Sequence, residues 1–123
     1  MDVELLEKLE NTINKIISKN EEVIYNNTYE LYNKVWDRII NKIENGDELI
    51  VISIKLTKYN FYNIPCYLIE NKINPLYYDL NILINLLQND NLRVRKDDNE
   101  LIISTSFNEL RLLIDNEKKK RLV

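Results

Sequence analysis

The chain has no histidine and no alanine, and its 123 residues hold one cysteine, one glycine and two prolines. Without histidine there is no imidazole base, and with Cys66 as the sole thiol there is no Cys/His zinc site and no disulfide framework. A lone cysteine behind Pro65 in an apolar segment reads as a small core residue. Gly46 alone cannot build a glycine-rich loop that cradles phosphate. Asp97, Asp98 and Glu100 lack the Asp-x-Asx-x-Asx-Gly frame of a calcium loop and read as turn residues. The chain carries twenty acids, but no spacing selects a pair for acid–base work. We expect no catalysis, no cofactor and no metal.

Long apolar runs are also missing. None approaches the ~20 residues that span a bilayer. The opening MDVELLEKLE is acidic and amphipathic, unlike a secretory signal or a basic transit peptide, so an intracellular chain is expected.

Asparagine and isoleucine dominate, with nineteen and eighteen copies beside eight tyrosines. Their codons are AT-rich, which points to an AT-rich genome such as certain large DNA viruses, protists or low-GC bacteria. In a virus, a small virion or host-interacting component is the expectation. Hydrophobic content of 45% and charged content of 30% fit one folded domain of this length. Net charge is −3, with eleven acids and six bases in residues 1–48 and nine acids and eleven bases after them. A nucleic-acid domain would be far more basic.

The strongest periodicity runs over Glu21–Glu44. Ile24, Thr28, Leu31, Val35 and Ile39 form one row, and Tyr25, Tyr29, Tyr32 and Trp36 a second, finished by Ile40 and Ile43. An aromatic row of this kind reads as core. Asn45-Gly46-Asp47 marks a left-handed helix stop. Upstream, Leu6, Leu9, Ile13 and Ile16 follow 3-4-3 steps with Ile17 beside them, a stripe rotated by roughly a quarter turn from the later face. Ser18-Lys19-Asn20-Glu21 matches a capping box. Either a short first helix folds back, or one rod runs from Asp2 to Glu44. That rod would be ~60 Å long, wider than a small domain, so two helices are preferred.

Leu49–Leu56 alternates with Ile50, Ile52, Ile54 and Leu56 on one face. With Leu49 and Val51 opposite, it reads as a central strand. Thr57–Asn74 is mostly loop, with Pro65 placed to open a short helix over Cys66–Lys72. Asn74-Pro75 opens a mainly buried helix, Pro75–Asn89, on Leu76, Leu80, Leu83 and Leu87. Asn91–Ser106 reads as a hairpin turning at Lys96–Asn99. Ser106 with Glu109 caps a last helix carrying Phe107, Leu110, Leu113 and Ile114, which frays into Lys118–Arg121. The order α-α-β-(α)-α-β-β-α predicts an α+β fold. Long N-terminal helices pack on a small, three-stranded, mainly antiparallel sheet. Residues 1–20 form a helix available for association, 21–117 one domain, and 118–123 a basic tail.

Helix, strand, helix, helix, hairpin is also the element order of winged-helix domains, which Glu21–Thr105 resembles in topology alone. The resemblance implies nucleic-acid binding with Pro75–Asn89 as recognition helix. Asn81, Asn85 and Gln88 would read bases, and Arg93, Arg95 and Lys96, with Lys118, Lys119 and Lys120, would contact the strand. Yet no Lys or Arg lies between Ile73 and Leu92, where phosphate anchoring would be needed. Lys58-Tyr59-Asn60-Phe61-Tyr62 has too little charge to hold single strands by stacking. Charged residues on the hairpin also deter unwanted strand pairing. The leading expectation is a non-catalytic interaction or structural protein. Its partner is itself, as a homo-oligomer, or a larger protein assembly, met through Leu6, Leu9, Ile13 and Ile16.

Overall fold

A computed structural model of the chain describes residues 1–56 and 78–122. Its elements are α1 (Val3–Glu44), β1 (Leu49–Lys55), α2 (Leu80–Asn89), β2 (Arg93–Asp97), β3 (Glu100–Ser106) and α3 (Phe107–Arg121). This is the expected α+β class and element order. Cys66, the segment from Lys58 to Tyr62, the helix expected over Cys66–Lys72 and the Asn74-Pro75 cap lie outside the described residues.

The N-terminal region is one helix of 42 residues, ~63 Å long. The preferred break at Ser18 does not occur. A capping box needs its serine out of helical geometry, and no Gly or Pro stands between Asp2 and Gly46 to force that. The N-cap is Asp2, whose side chain accepts a 2.7 Å bond from the Leu5 N–H. The stop is a Schellman motif: the Gly46 N–H bonds the Ile43 carbonyl at 2.9 Å and the Asp47 N–H that of Lys42 at 3.0 Å. Gly46 sits at φ 87°, a conformation that penalises any side chain.

Among the described residues three strands pair antiparallel in the order β1-β3-β2. The expectation that β1 is central is therefore wrong: β3 is central and β1 is an edge. The outward Leu49 and Val51, read as a second buried face, stay exposed. An edge strand can carry such residues on its solvent side where no second layer covers them. Part of the free edge is closed by Arg38 of α1, whose Nη1 donates to the Ser53 carbonyl at 3.1 Å. Asp97 and Glu100 pair across a two-residue turn with Asp98 at positive φ, shorter than the expected four.

The inner sheet face carries Ile50, Ile52, Leu101 and Ile103, all at most 1% exposed. They join Val35 and Ile39 of α1, Leu80, Leu83 and Leu87 of α2, and Leu110 of α3 in one core. The row Ile24, Thr28, Val35, Ile39 is thus the buried face of α1. The aromatic row borders the core instead of filling it: Tyr32 and Trp36 pack against it half-buried, and Tyr25 is exposed. Phenol and indole rings with a polar edge settle at such a boundary.

Helix α2 starts at Leu80, not Pro75, because Tyr78 and Asp79 are non-helical. Asp79 is its N-cap, accepting from the Ile82 N–H at 3.1 Å. It ends in a second Schellman motif, with Asn91 at φ 60° and bonds Asn91 N–H to Gln88 (2.9 Å) and Leu92 N–H to Leu87 (3.2 Å). Helix α3 opens as expected, the Ser106 hydroxyl accepting from the Glu109 N–H at 3.2 Å. It stays helical through Lys118–Arg121, which suits cations at a helix C-terminus. Its Phe107 and Ile114 are exposed, since only the Leu110 side meets the sheet.

Candidate association surface

Two polar contacts fix α1 against α2 and so set where the rest of α1 points. The Thr28 hydroxyl, fully buried, donates to the Ile24 carbonyl at 2.7 Å and accepts from the Asp79 N–H at 2.9 Å. A helix-interior threonine thereby ties one turn of α1 to the cap of α2. At the other end of α2, one Asp90 oxygen accepts from the Tyr32 hydroxyl and, at 3.1 Å, from Trp36 Nε1. That carboxylate holds an interhelical clamp. Sequence spacing placed Thr28 on the buried row of α1 but could not show its bond to Asp79, and it missed Asp90, which belongs to no spacing pattern.

The clamp has a pH signature. Burial, and then the Asp90 carboxylate, pushes the Tyr32 phenol up to about 12. Burial raises the Tyr78 phenol as well; its hydroxyl has no hydrogen-bond partner among the described residues. A raised folded-state pKa favours the protonated fold, so this stability is complete below the unfolded value of 10 and is lost as pH climbs towards 12. Thermal melting across that range should show an alkaline decline that Tyr32→Phe makes shallower. An unchanged decline would mean the phenol does not ionise on unfolding.

The N-terminal part of α1 touches little. Leu6, Leu9, Ile13 and Ile16 remain 54%, 46%, 45% and 42% exposed, and Val3 and Leu5 are exposed beside them. Residues 3–19 are all exposed except the half-buried Ile17. They form an arm ~26 Å long. From Ile24 onward the buried face of α1 is rotated by roughly 80° from the arm's stripe. The stripe is therefore open along the arm, ahead of the part of α1 that the body covers. Sequence spacing found the four central residues; Val3 and Leu5 lie on the stripe's shoulders and escaped it.

The cations expected for nucleic-acid contact are arranged otherwise. Arg93 pairs with Glu109 and donates from Nε to the Ser104 hydroxyl at 3.3 Å. The Arg93 guanidinium holds the Glu109 carboxyl below its usual range. Arg95 pairs with Asp97 at 3.1 Å, and Lys120 with Glu117 at 3.5 Å. Lys96 is exposed on β2, and Lys118 and Lys119 on the last turns of α3. Lys118 lies nine residues beyond Glu109, ~14 Å along the helix axis. Helix α2 exposes Asn81, Asn85 and Gln88 and contains no cation.

Among the described residues no group of three His, Cys, Asp or Glu is arranged to hold a metal, and no helix is long and apolar enough to cross a membrane. Set against protein-family models, curated proteins and solved structures, the chain matches none of them.

Proposed function

We propose that this chain is a non-catalytic interaction or structural protein whose N-terminal arm associates with itself or with a larger protein assembly. The observation that carries the reading is the open stripe Leu6, Leu9, Ile13 and Ile16 on a helix continuous with the core. A helix of some 17 residues is marginal in water by itself, and helices gain most stability by packing an apolar face. A contiguous apolar strip of this kind marks an interaction surface. In a virus, the same arrangement would serve a virion or host-interacting component.

Light scattering on the full chain and on a chain starting at Glu21 tests this. The full chain should exceed its monomer mass of 14.8 kDa as concentration rises, and the shorter one should stay monomeric. A strict monomer in both cases, with equal stability, removes self-association.

A nucleic-acid reading draws on one observation: α2 directly precedes the antiparallel hairpin, as in the winged-helix order, and presents Asn81, Asn85 and Gln88 outward. The absence of cations on α2 and the pairing of Arg93 and Arg95 with acids weigh against it. A low-salt gel shift with duplex DNA separates the two; no retained duplex removes the second.

A further inference from the structure

Resting on that association reading, we infer that the arm's partner is a second copy of this chain, paired antiparallel about a twofold axis near Asn11. The steps between Leu6, Leu9, Ile13 and Ile16 are 3-4-3, which reads the same in both directions, and their midpoint is residue 11. The open arm, residues 3–19, has the same midpoint. A twofold axis there sets Leu6 against Ile16 of the second copy and Leu9 against Ile13. Every layer is filled and the surface is complementary to itself.

The body decides the direction. On the helical wheel Asn20 continues the line of the stripe, and Val23 and Asn27 lie within ~60° of it. Asn20 is 5% exposed and the other two are half-buried, so the seam closes where the body begins. A parallel partner would run its own residues 20–27 along this covered face. Helices packed 8–10 Å apart at ~20° diverge too slowly to avoid the overlap. An antiparallel partner ends there, its first turn beside Lys19.

Charge along the axis agrees. Asp2, Glu4, Glu7 and Glu10 with Lys8 would lie over the half that carries Lys15 and Lys19. Across the axis the flanks oppose it: Glu7 and Glu10 line one side of the stripe and the lysines the other, which suits a parallel pair. Exposed pairs of this kind weigh little against steric overlap. Covering the arm's apolar side chains in both copies removes on the order of 1,000 Å² from water, near the lower bound of a specific interface. The dimer is therefore weak and concentration-dependent.

The test uses the full chain with Cys66→Ser, so that one thiol can be placed at will. Thr12→Cys puts the thiol on the flank where both copies of residue 12 meet; the Thr12 hydroxyl donates to the Lys8 carbonyl within the helix. Leu6→Cys puts it where only parallel copies would meet. Sedimentation equilibrium should show a monomer–dimer exchange, with Thr12→Cys oxidising to a disulfide dimer at least roughly ten-fold faster than Leu6→Cys. Glu10→Gln should tighten the dimer, because antiparallel packing sets Glu10 against its own copy. The reverse order of crosslinking overturns the antiparallel inference and leaves the association reading standing. A monomer from micromolar to millimolar concentration overturns the second copy as partner. A dimer of unchanged strength in the chain starting at Glu21 defeats both.

Discussion

Leu83→Ala should lower the unfolding free energy by about 2–5 kcal/mol, the largest single-residue loss expected in the body. Leu83 is 0% exposed at the middle of α2, which packs against both α1 and β2. Removing its branched side chain leaves a cavity among three elements, and helix–sheet packing can collapse around it only in part. Domains of this kind have about 5–15 kcal/mol in total, so the variant would be substantially destabilised. Val51→Ala is the control: Val51 is 56% exposed on the edge strand and should change stability by less than about 0.5 kcal/mol. Urea unfolding of both variants checks the contrast. Similar losses would mean that α2 is not the centre of the core.

Ile13→Asp should raise the dissociation constant of the self-associated chain by about 100-fold or more, about 2.7 kcal/mol. The substitution removes apolar contact and brings a carboxylate against the partner's apolar stripe, where it loses water and gains no hydrogen bond. In the antiparallel pair two such sites are affected, one from each copy. Because Ile13 lies on the arm and 45% exposed, body stability should hold to within about 0.5 kcal/mol. Concentration-dependent sedimentation gives the first quantity and urea unfolding of the monomer the second. Unaltered association would show that the stripe takes no part in it. A large loss of body stability would place Ile13 in the fold.

Features that depend on neighbours along the chain were legible in the order of residues. The 3.6-residue spacing of Ile24, Thr28, Val35 and Ile39 specified the buried face of α1, and alternation over Ile50 and Ile52 the inner face of β1. Gly46 specified a stop because few other residues accept its φ of 87°. Ser106 specified the start of α3, and the arm's stripe was visible in its 3-4-3 steps. Features that depend on residues far apart emerged with the packing of the elements. Whether Ser18 capped a new helix turned on what the rest of the chain offered, and one continuous α1 won. Whether β1 was central turned on β3, whose Leu101, Ile103 and Thr105 face the same core from the middle position. Asp90 reads in sequence as an ordinary acid after a helix; it becomes the clamp only because Tyr32 and Trp36, more than fifty residues earlier, are brought to it. Local periodicity is written into the order of side chains, since each turn of helix or strand repeats the same geometry. Partners across the core follow from how faces of different elements fit together, and that information is spread over the whole chain.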